Sequence, residues 1–186
     1  MSSVPDSANE VFRHRPDIPL IDRIKIQSEV LVPLIKALEQ ALGRPAAHEV
    51  VRSGVGEYFR TLAENLAAER GSRGALGALG ELCSAGNSVE GEVLENSDTA
   101  FSFDIVGCRF AEFFREIGEP EIGFLLVCSS DYPMTDGLPG IELERTQTIM
   151  QGARTCDFRY RFAADDLQPA RSTADSARLT NPSQSQ

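Results

Sequence analysis

Apolar positions along this chain change their period several times, and each change marks a different kind of element. From Asp22 the spacing is helical. Ile24, Leu31, Leu34, Ile35, Leu38 and Leu42 form one stripe, Gly43 is a natural stop, and Pro33 inside the run predicts a kink or a break into two pieces. Pro45 suits the first turn of a second helix, which Val50, Val51, Val55, Phe59, Leu62 and Leu66 carry to Arg70, just before Gly71. Leu76, Leu79 and Leu82 predict a third helix over about 73–84, weakened by Gly74, Gly77 and Gly80.

Alternation then replaces the helical period. Residues 89–95 and 99–106 alternate apolar and polar side chains around the turn Asn96-Ser97-Asp98, which predicts a hairpin. Helical spacing returns over 108–117, with Phe110, Phe113, Phe114 and Ile117 on one side and Gly118 at the end. Glu119-Pro120-Glu121 reads as another helix start, carrying Ile122, Leu125, Leu126 and Cys128 towards Asp131. A buried strand over 124–128 is the alternative, because a short apolar run fits both. Residues 132–139 read as loop, and a second hairpin, about 140–150 and 156–163 with its turn at Gly152, closes the domain.

The order helices, hairpin, helices, hairpin predicts an α+β fold: a helical N-terminal half packed on a mostly antiparallel sheet of about four strands. The expected domain spans 20–163. Residues 1–19, polar and containing Pro5, Pro16 and Pro19, read as a flexible arm. Residues 164–186 hold too few large apolar groups to offset ordering entropy and read as a disordered tail.

Composition narrows the function classes. A chain of 186 residues can bury one sizeable core, and a net charge of -10 argues against a nucleic-acid partner, which needs a basic face. No apolar run approaches the roughly 20 residues of a membrane helix, and the first residues lack a basic-then-apolar leader, so no membrane partner and a cytoplasmic location are expected. Cys83, Cys108, Cys128 and Cys156 lie far apart without a CxxC pair and are expected to be free thiols. With only His14 and His48, a histidine-rich metal site or a Ser-His-Asp triad has little material, and no cofactor is expected.

The chemistry concentrates in the second half. Cys108 stands where a strand ends and a helix begins, and helix N-terminal N–H groups favour a thiolate. Glu112 follows one turn later and Arg115 three residues after that; the bland reading is a buried small residue beside a surface pair. Cys128 and Asp131 share a face if their segment is helical, and Asp131 suits a general base on water, or simply a cap. In the last hairpin Arg145, Gln147 and Ile149 fall on one expected strand face and Thr146, Thr148 and Met150 on the other, neither cleanly apolar. Polar groups directed inward usually serve a ligand or a hydrogen-bond network. Arg145 suits bidentate capture of a carboxylate, against a solvated ion pair as the plain alternative, while Thr146 and Thr148 could be no more than good strand formers. Cys108, Cys128 and Cys156 could converge on zinc, but their spacing is that of no zinc module, and no metal site is expected.

Together these residues carry a resemblance. Cys108-x-x-Ala-Glu-Phe-Phe-Arg115, Gly118-Glu119-Pro-Glu121, Cys128-x-x-Asp131, Arg145-Thr-Gln-Thr-Ile-Met-x-Gly152 and Cys156-Asp-Phe-Arg159 resemble, in order and spacing, the L-2-amino-thiazoline-4-carboxylic acid hydrolase family. The helical lead-in from residue 20 fits more loosely. The resemblance implies hydrolytic opening of a small, carboxylate-bearing cyclic isothiourea; the residues fit attack by a cysteine thiolate or an activated water, and the shortage of histidine favours a metal-independent mechanism. Cys108 is the expected nucleophile, with Asp131 or Glu112 handling protons. Arg145 is expected to bind the substrate carboxylate, with Thr146, Thr148, Cys128, Cys156 and Arg159 around the substrate. The terminal hairpin is also similar to the end of V4R-type small-molecule-binding domains, which supplies the alternative of a sensor domain that binds a small molecule or a metal without catalysis. The partner expected is a small-molecule substrate; a homo-oligomer is left open.

Overall fold

The computed structural model describes residues 18–163. The expected tail and all but the last two residues of the expected arm lie outside that range. Helix α1, Leu20–Leu42, buries Ile21, Ile24 and Ile35 and runs through Pro33 as one element, so the break expected there does not occur. Gly43, at φ 79°, turns the chain into α2, Arg44–Ser84, with Pro45 in its first turn. Gly71 interrupts α2 at φ 74° and ψ 159°, a conformation open almost only to glycine, and so separates the second and third helices read from the sequence.

Strands β1, Val89–Asn96, and β2, Ala100–Cys108, form the first hairpin. Helices α3, Arg109–Glu116, and α4, Pro120–Leu126, come next, so the segment after Pro120 is helical and the strand alternative falls away. A 3-10 turn, Cys128–Ser130, leads into α5, Asp131–Asp136, in place of the expected loop. Pro133 is tolerated in its first turn. The Thr135 hydroxyl donates to the Asp131 carbonyl at 2.8 Å, and Met134 and Leu138 are buried against α2 residues such as Ala63 and Leu79.

The second hairpin is shorter than expected. Strand β3 is Ile141–Glu144 and β4 is Cys156–Phe162; residues 149–151 form a 3-10 turn. Residues 145–148 leave the ladder because other groups take their backbone. The Asp157 carboxylate accepts the N–H groups of Thr146 and Gln147, at 3.0 and 2.8 Å, and Tyr132 exchanges hydrogen bonds with the backbone of Arg145. The sheet order is β1-β2-β4-β3, with every pair antiparallel. Phe101, Phe103 and Ile105 of β2 and Cys156, Phe158 and Tyr160 of β4 form its inner face, towards the helices.

A register irregularity in the first hairpin decides which end of β2 turns inward. Glu90 faces Gly107 and Gly91 faces Ile105, so Val106 is an extra residue on β2. Strict alternation would put Ile105 and Cys108 on opposite faces. The bulge resets the alternation, and both reach the inner side of the sheet.

Candidate functional site

A cavity of about 440 Å³ lies between the inner face of the sheet and the helices. Its floor is aromatic: Phe103 and Phe158 stand opposite each other in register and stack with ring centroids 4.9 Å apart and 8° between planes, and Tyr160 continues the row 6.2 Å from Phe103. Leu76 and Leu79 of α2 and Ile24 of α1 form the opposite wall. Gly80, Ser84, Gly91 and Val93 line the cavity yet reach solvent, which places its mouth between the end of α2 and the edge strand β1.

One end of the cavity is polar. Asp131, the first residue of α5, accepts a hydrogen bond from Nη1 of Arg145, and the same nitrogen donates to the Cys128 carbonyl at 3.1 Å. The Arg145 side chain is only 5% exposed and sits among the rings of Tyr132, Phe158 and Phe124, at 5.6, 5.7 and 6.0 Å. Its Nε has no hydrogen-bond partner. The Tyr132 hydroxyl donates to the Arg145 carbonyl at 2.7 Å and accepts the Arg145 N–H at 3.1 Å, which fixes the backbone that carries the guanidinium. Burial pushes the Asp131 carboxyl up to about 7, against the opposing pull of Arg145. At neutral pH it is therefore divided between acid and carboxylate, the condition in which a carboxyl group both accepts and returns protons.

All four thiols line this cavity. Burial pushes Cys83 up to about 12, and it pushes Cys128 higher still, with the charge of Asp131 adding to it in both cases. Burial also takes Cys156 up to about 11, although the Ile149 N–H donates to its sulfur at 3.1 Å. At Cys108 burial again wins: the N–H groups of Ala111 and Phe110, at the start of α3, pull the thiol down but do not offset desolvation. The lowered Cys108 thiol expected from its helix-start position is thus reversed by its burial. Cys128 is close enough to Cys108 and Cys156 for each to raise it further. Even so, among the described residues no group of three or more His, Cys, Asp or Glu side chains is placed to hold a metal ion.

Of the residues singled out in the sequence, Cys108, Cys128, Asp131, Arg145 and Cys156 line the cavity, and Glu112, Thr146, Thr148 and Arg159 do not. Glu112 is exposed on α3, and Arg115 donates to the Ile149 carbonyl. The Thr146 hydroxyl donates to Asp157 at 2.5 Å. Thr148 is fully buried and caps the 3-10 turn, accepting from the Gln151 N–H at 3.2 Å. Arg159 belongs to the outer face of the sheet, where it donates to Asp104 at 2.7 Å and to the Phe103 carbonyl at 2.9 Å.

The structure adds Cys83, Ser130 and Tyr160 to the lining. Tyr160 is legible in the sequence, since it continues Cys156 and Phe158 at the strand period. Nothing in the spacing of Cys83 or Ser130 points to the cavity.

A family model described as L-2-amino-thiazoline-4-carboxylic acid hydrolase matches residues 23–160. Among curated proteins none matches the chain. Among solved structures, the phenol-responsive sensory domain of the transcription activator PoxR, solved with phenol, is similar at 17% identity and a TM-score of 0.45, covering 71% of this chain and 72% of that one.

Proposed function

The chain belongs to the L-2-amino-thiazoline-4-carboxylic acid hydrolase family, and on that basis we propose that it opens a small, carboxylate-bearing heterocycle of the 2-amino-thiazoline type by hydrolysis at the polar end of its cavity. The observation that carries the reading is the buried Asp131–Arg145 pair, with Asp131 pushed up to about 7. Asp131 is the proton-handling residue. Its carboxylate takes a proton from water as the water oxygen bonds to the amidine-like ring carbon. The tetrahedral adduct then expels the ring nitrogen or the ring sulfur; Asp131 returns the first water proton to the leaving atom, and the hydroxyl proton passes to the ring nitrogen as the carbonyl forms. The substrate's own exocyclic nitrogen stays on the reacting carbon, which becomes a carbonyl, so one water is consumed and no other reactant is required.

Arg145 orients Asp131 through Nη1, and its guanidinium in the cavity lining supplies the charge that meets the substrate carboxylate in a charge-assisted hydrogen bond. Attack by a thiol is the variant of the same reaction that the sequence favours. Cys108 lines the cavity, but its raised thiol would have to lose its proton in the course of attack. Water activated by Asp131 needs no such step and is the preferred route.

A second reading is a small-molecule-binding domain without catalysis. It is favoured by the cavity lining, which away from Asp131 and Arg145 is mostly apolar.

The test follows ring opening of L-2-amino-thiazoline-4-carboxylate by loss of its ultraviolet absorbance, with Asp131→Asn and Cys108→Ala beside the wild type. Turnover that falls about 100-fold or more in Asp131→Asn and survives in Cys108→Ala is expected, since a positioned general base contributes about that much. Loss in Cys108→Ala with its fold intact moves the attack to the thiolate. Binding without turnover by the wild type would favour the second reading.

A further inference from the structure

The polar groups of the proposed site occupy one end of the cavity, and the rest is apolar and aromatic. A single five-membered ring acid beside Asp131 and Arg145 would meet Phe158, whose ring lies 5.7 Å from the Arg145 guanidinium, and leave Phe103 and the facing Leu76 and Leu79 uncovered. The volume of about 440 Å³ falls within the roughly 300–1,000 Å³ of sites that take drug-sized molecules. The site also holds its charge at one place: the Arg145 side chain is 5% exposed, lines the cavity and pairs with Asp131.

We infer that the natural ligand carries two parts, an anionic or strongly accepting head that meets Arg145 beside Asp131 and a flat aromatic or branched apolar body that lies over the Phe103–Phe158 stack. The ligand class is therefore a ring-bearing acid with an aryl or bulky alkyl substituent rather than the bare amino-thiazoline acid. This rests on the cavity being the site of the reaction proposed above.

Two features set the orientation. Phe103 and Phe158 stack on each other, so a ligand ring meets the edges and outer face of that pair, in the edge-to-face or offset contacts aromatic pairs prefer. The mouth beside β1 opens near Gly91 and Val93, so the apolar body enters last and the head reaches the buried end first. Asp131 and the four thiols are then closed off from bulk water by the ligand's own apolar part, with no moving lid required.

The experiment compares two probes on the full chain: L-2-amino-thiazoline-4-carboxylate and the same acid bearing a phenyl group on the adjacent ring carbon. Binding is measured by isothermal titration calorimetry and ring opening by absorbance. The phenyl acid is expected to bind about tenfold tighter or more, the gain from burying an aromatic ring. Leu76→Trp, which fills the apolar end, is expected to remove that advantage, read as the ratio of the two probes' affinities in the same variant. Phe103→Leu, nearer in volume, carries the same comparison should the tryptophan variant fail to fold by circular dichroism.

Equal or weaker binding of the phenyl acid overturns the inference, even where the parent acid is turned over and the hydrolase reading stands. A phenyl advantage that persists in both variants overturns it too, because the ring then lies elsewhere. Tighter binding of the phenyl acid, lost in the variants, with no ring opening of either probe supports the two-part ligand and sinks the hydrolase reading instead.

Discussion

Arg145 hydrogen-bonds Asp131 through Nη1 while its own Nε stays unpaired, although both groups lie at the buried end of one cavity. Three separate devices hold this arrangement. Asp131 is fixed as the first residue of α5, the Tyr132 hydroxyl clamps the Arg145 backbone, and Asp157 ties down the next two residues. Buried ion pairs rarely gain much over apolar packing, and the proposed function gives this one a role, holding the substrate carboxylate.

Under the proposed mechanism the pH dependence of ring opening follows Asp131. A general base works when deprotonated, so kcat/KM is expected to rise with pH and level off above about 7. Arg145 holds the carboxyl lower than burial alone would, so Arg145→Ala is expected to move that limb to higher pH as well as weaken binding of the carboxylate. A profile flat from about pH 5 to about pH 9 would falsify the role of Asp131.

Stability should carry the opposite trend from the same group. The carboxyl binds its proton more tightly folded than unfolded, so its contribution is full below pH of about 4, the unfolded value, and is lost as pH rises to about 7. Urea midpoints of the wild type against Asp131→Asn across that range are the measurement. The difference should shift in favour of Asp131→Asn as pH rises.

Thiol chemistry offers an independent check. Burial raises all four cysteines, so none is expected to react with iodoacetamide near pH 7 faster than a free cysteine, and labelling should accelerate only in alkali. Mass spectrometry after timed labelling reads this site by site. One thiol reacting fast at neutral pH would restore the covalent route and identify its nucleophile.

Two glycines should be costly to replace, for different reasons. Gly71 has open space around it but a backbone at φ 74° and ψ 159°, so Gly71→Ala is expected to cost about 1–3 kcal/mol from strain alone. At Gly137 an added Cβ would lie 2.5 Å from the Arg60 carbonyl oxygen and 3.0 Å from Ala63 Cβ, so Gly137→Ala must push α5 off α2, at about 1–3 kcal/mol. Denaturant midpoints measure both. Gly137→Ala is also expected to lower activity, because α5 carries Asp131, whereas Gly71→Ala should leave kcat nearly unchanged.

The Asp157 staple makes a further mutational prediction. Hydrogen bonds from the Thr146 hydroxyl and the N–H groups of Gln147 and Thr146 outweigh desolvation and hold this carboxyl below its ordinary range. Asp157→Ala should loosen residues 145–148 and raise KM for a carboxylate substrate through Arg145, without touching the cavity itself. An unchanged KM would show that Tyr132 alone positions Arg145.

Much of this protein is determined locally and is legible in the order of its residues. Helical periodicity locates α1 and α2, and Gly71 divides α2 because only a residue without a side chain adopts that backbone cheaply. Strand alternation finds β1, β2 and β4, and the Cys128-x-x-Asp131 and Arg145 motifs point to the residues that line the polar end of the cavity. What the sequence alone does not decide depends on contacts between distant segments. The stretch 145–148 alternates like a strand but leaves the sheet because Asp157 and Tyr132 take its backbone hydrogen bonds. Cys108 faces the cavity only because the bulge at Val106 resets the pleat, and its thiol rises rather than falls because packing around it outweighs the helix N-terminus. Period and propensity are properties of neighbours along the chain. Which polar groups become buried, which donors stay unpaired and how far a carboxyl rises are set by desolvation, and desolvation exists only once the layers have closed.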